Sequence, residues 1–209
     1  MKRPARIIII ISLAFLLKAI SSCVQPVYDF DFDFESITVS NLDNSEVYVM
    51  RSDRDTMYSA AVAFEVTISG DQFSAATGPF KNETVLPGFT PASADQPEPR
   101  YHPMQKITSI SIVALEELSS SIPAGSDVTE LFVAYVPYFS EMDFLYIRTD
   151  QLPSMINREF YSGEPSVTFR LFCKEDIGNS RAQFVIRATL SDDRTLAATT
   201  NMITIITAA

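Results

Sequence analysis

Short runs of alternating apolar and polar residues recur along this chain, and they constrain its fold more than any other feature. Residues 36–40 read SITVS and residues 57–69 read MYSAAVAFEVTIS. Residues 106–115 read KITSISIVAL, 166–173 SVTFRLFC and 182–190 AQFVIRATL. Successive side chains of a strand point to opposite faces, so each run gives a strand one apolar face and one polar face. In 57–69 the apolar set is Val62, Phe64, Val66 and Ile68; in 166–173 it is Val167, Phe169, Leu171 and Cys173. Many short strands with one apolar face each are satisfied when two sheets pack face to face. The expected fold is therefore mainly β, an antiparallel β-sandwich of immunoglobulin-like architecture.

The runs also carry local detail. In 106–115 the apolar positions change parity between Ile107 and Ile110, which predicts a β-bulge. The polar turn SDDR (191–194) predicts a hairpin between 182–190 and a partner strand TLAATTNMITII (195–206). Helix signals are few. GSDVTELF (125–132) offers Asp127 as N-cap and Glu130 three residues on, a capping box for one turn. LPSMINREF (152–160) predicts a second short helix. Residues 87–103, PGFTPASADQPEPRYHP, hold five prolines and cannot form a central strand. They read as a linker or, preferably, as a crossover between the sheets of one domain spanning 36–209. The segment PVYDFDFDFE (26–35) alternates phenylalanine with acid. It reads as an acidic tether over 23–35 or as a first strand, with Phe30, Phe32 and Phe34 on one face. Its aspartates fail as an EF-hand loop, because position six would be Phe34 rather than glycine and position twelve Ser40 rather than glutamate.

The first 22 residues have a different character. Lys2, Arg3 and Arg6 precede an uninterrupted apolar run, Ile7 to Leu17. As a helix rising about 1.5 Å per residue, the run would cover roughly half of a ~30 Å hydrocarbon core. That length suits the apolar region of a signal peptide rather than a membrane span. Ile20-Ser21-Ser22-Cys23 follows and resembles the signal of bacterial lipoproteins, which places two small residues before an invariant cysteine. The resemblance implies cleavage between Ser22 and Cys23 and lipidation of Cys23. Several acyl chains would then hold the protein at a membrane, as a single chain would not. Serine before the cysteine, and acidic residues soon after it, are similar to lipoproteins of Bacteroidota.

Removal of residues 1–22 takes away four of the 16 basic residues and no acidic one. The remaining 187 residues carry 12 basic and 26 acidic side chains, a net charge of −14. Such a surface repels nucleic acid and anionic membranes, so nucleic acid is not an expected partner. With Cys23 acylated, Cys173 is the one remaining thiol and no disulfide within the chain is possible. Its place on the apolar face of 166–173 predicts a buried, inert side chain.

Catalytic signatures are missing. The one histidine, His102, is expected in a loop, and no G-x-S-x-G elbow accompanies it. One histidine and one thiol do not make a zinc site, and six glycines include no phosphate-binding loop. No cofactor or metal is expected. A pair of carboxylates would suffice for a glycosidase, but the absence of tryptophan argues against sugar stacking. Aromatic residues concentrate over 132–161, where Tyr135, Tyr138, Tyr146 and Tyr161 are the candidate binding surface, since tyrosine is rigid and amphipathic. Asp55-Thr56-Met57 resembles the acceptor pattern of Bacteroidota protein O-glycosylation, which makes Thr56 a candidate glycan site.

The segments 107–132, 152–153 and 184–205 together are similar to a group of uncharacterised lipoproteins of Bacteroidota. The resemblance implies an exported β-rich domain and brings no activity with it. The expected protein is an envelope lipoprotein, anchored in the outer membrane, that binds envelope proteins or glycans or supports an assembly. A fimbrial subunit that exchanges its C-terminal strand MITIITAA is the alternative, and an envelope hydrolase the third reading.

Overall fold

The acidic segment and SITVS form one strand. The computed structural model describes residues 29–45, 48–75, 100–137, 146–158 and 164–207, and β1 runs through Asp29–Asp43. Phe32 and Phe34 are fully buried, while Asp29 and Asp31 are exposed. From residue 29 onward this stretch is thus strand rather than tether. Glu35 is an extra residue in the pairing, because Phe34 faces Gly70 and Ser36 faces Ser69. One extra residue flips the parity of everything after it. The inward set accordingly changes from Phe32 and Phe34 to Ile37 and Val39, both packed against the core. Gly70 is required at this bulge: a Cβ there would lie 1.6 Å from the carbonyl oxygen of Asp33.

The remaining strands are β2 (Met50–Arg51), β3 (Thr56–Tyr58), β4 (Val62–Ala75), β5 (Arg100–Pro103), β6 (Ile107–Ala114), β7 (Phe132–Tyr135) and β8 (Ile147–Arg148). After the helix α1 (Leu152–Arg158) come β9 (Ser166–Cys173), β10 (Arg181–Ala182), β11 (Phe184–Leu190), β12 (Thr195–Thr199) and β13 (Ile203–Ile206). They form a mainly β sandwich. Its large sheet has the order β2-β1-β4-β9-β7-β8, with β5 also pairing β1. Two three-stranded sheets, β12-β11-β6 and β10-β13-β3, complete it. All pairings are antiparallel except β1 with β5 and β13 with β3.

The core lies between the sheets. Phe64, Phe132 and Phe184 form its centre, with ring centroids 5.5–6.3 Å apart in edge-on and tilted contacts. Leu152 and Ile156 of α1 are buried in the same cluster. Asn157 closes the edge of β6, because its Nδ2 donates to Ile107 O at 2.7 Å and its Oδ1 accepts from Ile107 N at 3.1 Å. Such a side chain stands in for a neighbouring strand and blunts the edge. The bulge expected in β6 is present at Thr108, since Ser109 faces Thr189 and Ile107 faces Leu190. Ile107 and Ile110 are thereby both buried.

The hairpin of β11 and β12 forms around Ser191–Arg194, with Asp193 at φ 66°. Aspartate tolerates this left-handed conformation better than most residues. Arg194 then ties the turn to β1 through the Asp33 carboxylate and the carbonyl of Phe34, the latter at 3.2 Å.

Several expectations need correction. Residues 57–69 are two strands, interrupted by a turn at Ser59–Ala61 that ends β3 in a different sheet from β4. Residues 195–206 also divide. Thr200 is buried, its Oγ1 accepts from Phe184 N at 3.1 Å, and the chain then leaves the hairpin so that β13 enters the β10-β13-β3 sheet. The capping box over 125–132 is only half made. Asp127 Oδ1 accepts from Thr129 N at 2.9 Å, but the turn is a three-residue 3-10 helix, Thr129–Leu131. His102 lies in β5 rather than in a loop, and its Nε2 is 3.1 Å from Asp29 Oδ1. The last four residues of the proline-rich segment, 100–103, are therefore an edge strand; residues 87–99 lie outside the described residues. So do the leader and Ser22 and Cys23. Among the described residues, no helix is long and apolar enough to cross a membrane.

Candidate functional site

The pairing register builds the outer face of the large sheet in rows. Leu42, Ala63, Phe172 and Val133 form one row across β1, β4, β9 and β7. Ser40, Glu65, Arg170 and Tyr135 form the next, and Thr38, Thr67 and Thr168 the one after. The first row is a small apolar cluster, with Val49 and Tyr135 packed against it. Tyr146 completes it. Its ring lies 5.4 Å from Phe172, nearly perpendicular at 87°, and 6.1 Å from Tyr135. Tyr146 remains 53% exposed, so this aromatic group is open to solvent on one side.

The second row holds a buried charge. Glu65 is only 6% exposed, next to the apolar row. Arg51 Nε donates to its Oε1 at 2.5 Å, and Arg170 Nε donates to its Oε2 at 3.1 Å. Both oxygens are thus engaged, which satisfies the carboxylate and leaves it poorly placed to accept a substrate proton. Two guanidinium groups sharing one carboxylate give the row an excess positive charge beside the aromatic cluster. In the third row Thr67 Oγ1 and Thr168 Oγ1 are hydrogen-bonded at 3.0 Å. The result is a face that presents an exposed aromatic ring, cations and hydroxyl groups.

Of the candidate tyrosines, Tyr135 and Tyr146 come together at this face; Tyr138 and Tyr161 lie outside the described residues. Phe172 and Glu65 are members of the site that the sequence reading misses. Phe172 breaks the alternation of 166–173 by being apolar on the outer face, and that break is the signal available in the sequence. Nothing local marks Glu65, because its partners come from positions 51 and 170. Thr56 lies in β3 with its side chain exposed, away from the tyrosines. Cys173 follows the inward face as expected but is half-buried rather than fully covered. Its Sγ donates to Glu175 O at 3.3 Å, and burial pushes its thiol pKa upward. Among the described residues, no group of three or more His, Cys, Asp or Glu is placed to hold a metal ion. Comparison with protein-family models, with curated proteins and with solved structures gives no match to this chain.

Proposed function

We propose that the chain is a lipid-anchored cell-envelope protein whose β-sandwich serves a binding or structural role without catalysis. The observation that carries this reading is Ile20-Ser21-Ser22-Cys23 directly after a basic, then apolar, leader. The anchor is a lipid on Cys23, and partners are envelope proteins or glycans that reach the sandwich from solution. The outer face of the large sheet supports the binding role, since Tyr146 is exposed there beside Tyr135, whose neighbour across the register is Arg170. A strand-exchanging fimbrial subunit is less well supported. Its exchangeable segment would be β13, which is already paired on both sides, with β10 and with β3.

Substitution Cys23→Ala tests the anchor. The variant is expected to lack the acyl group by mass spectrometry and to leave the detergent phase on phase partition. Retention of the variant in the detergent phase to the wild-type extent would overturn the reading.

A further inference from the structure

A cleft of about 270 Å3 opens at the end of the sandwich remote from the hairpin turn, where β1 ends, β3 begins and β13 stops. Leu42 and Met57 are buried beneath it, and Tyr58 and Ile206, opposite each other in the β3–β13 pairing, stand partly exposed at its side. Asp43 and Arg54 line it as well.

These two charges share the cleft without pairing. Asp43 Oδ1 accepts from Ser45 N at 3.0 Å and from Ser45 Oγ at 2.5 Å, which leaves Oδ2 free to accept. The same bonds, together with the Arg54 charge, hold the Asp43 carboxyl below its ordinary pKa. The Arg54 guanidinium makes no hydrogen bond or ion pair with the described residues, although its backbone is fixed. Arg54 N donates to Ser52 Oγ at 3.2 Å, and Arg54 O accepts from the buried Asn41 Nδ2 at 3.2 Å. Asn41 Nδ2 and Asn201 Nδ2 also donate to Asp55 Oδ1, so the segment carrying Arg54 is held from two sides. The cleft thus offers a cation and a carboxylate oxygen, neither of them in an ion pair, to a ligand with the reverse charges.

We infer that this cleft binds a free α-amino acid with an apolar side chain: its carboxylate on Arg54, its ammonium on Asp43, and its side chain against Met57, Tyr58 and Ile206. An acidic sugar fits less well, because a carboxylate on Arg54 would have no cation to set against Asp43. At about 270 Å3 the cleft lies just below the roughly 300–1,000 Å3 of common ligand pockets, which matches a small ligand. The inference does not depend on the lipid anchor.

Titration of the full chain in detergent with L-leucine, followed by calorimetry, tests it. Binding is expected at concentrations up to about 10 mM. N-acetyl-L-leucine, which lacks the ammonium, and L-leucinamide, which lacks the carboxylate, should each bind about tenfold or more weaker, as loss of a charge-assisted hydrogen bond requires. Arg54→Ala should weaken leucine by a similar factor and leave the amide nearly unaffected. Asp43→Asn should do the converse with the N-acetyl compound. No heat of binding to the wild-type chain, or equal affinity for all three compounds, would overturn the inference. The capped ligands give that answer on the unaltered protein, whatever the variants do to folding.

Discussion

On the inner face of β4 and β9, Phe64, Val66, Ile68, Phe169 and Leu171 have no exposure at all. On the outer face of the same two strands the buried side chains are Ala63, Glu65 and Phe172. Among the described side chains, the inner face carries no charge. The other buries a carboxylate and satisfies it with two arginines, one of them largely in solvent. The inner face is held by apolar surface removed from water, roughly 25 cal/mol per Å2. The outer face adds little of that kind. Its contribution is to fix which strands lie side by side, since Glu65 reaches β2 through Arg51 and β9 through Arg170. Of its aromatic group, Tyr146 alone is exposed, at 53%.

The comparison breaks most visibly if a charge is placed on an inner face. Ile186 of β11 is fully buried, while Arg187, its neighbour, is exposed. Ile186→Asp buries a carboxylate within the apolar core and should cost several kcal/mol, on the order of the ~5–15 kcal/mol that a domain has in total. The variant should be largely unfolded by circular dichroism. Arg187→Asp on the opposite face should change stability by less than about 0.5 kcal/mol. A reversal of the two results would mean that β11 presents its other face to the core.

The outer face should respond more mildly. Glu65→Ala leaves Arg170, 28% exposed, without its carboxylate, whereas Arg51 at 70% is already mostly hydrated. We expect a loss of about 1–3 kcal/mol in denaturant unfolding, set mainly by the half-covered Arg170. Arg51→Ala should cost less than that, because Glu65 keeps its bond to Arg170 and Arg51 itself is mostly hydrated. If Arg51→Ala were the more damaging, the remaining bond to Arg170 would not be enough to satisfy the buried Glu65.

The sequence was most legible where one face was apolar throughout. The runs 107–114, 166–173 and 184–190 are strands with the inward residues that alternation predicts, and the Thr108 bulge was readable from the parity change. It was least legible where the chain changes sheets. Ser59–Ala61 contains neither glycine nor proline, and Ala60 and Ala61 prolong the apolar pattern into β4, so the turn leaves no signal. At Thr200 the break depends on a buried hydroxyl bonding to Phe184, a contact sixteen residues away that no local pattern encodes. Sites follow the same rule. Tyr135 and Tyr146 stand out by composition, whereas Glu65 with its two arginines, and Asp43 and Arg54 in one cleft, are assembled by pairing and by chain crossing.

Cys173 gives the smallest effect and the finest test of the inner face, because it stands at its margin. Its side chain ends the row of Val167, Phe169 and Leu171, half-buried against the core. Burial raises its pKa, so the folded protein holds the thiol proton more tightly than the unfolded chain does. The sign follows: the stabilisation is complete below the unfolded value and is lost as pH rises through the folded one, in the alkaline range above the ordinary thiol value. Only the thiolate attacks an alkylating reagent, so at about pH 8 the native protein should react far more slowly than the same chain in denaturant. The native rate should still be climbing with pH where the denatured rate has levelled off. If the two rates matched at every pH, Cys173 would be open to solvent, and the inner face would stop at Leu171.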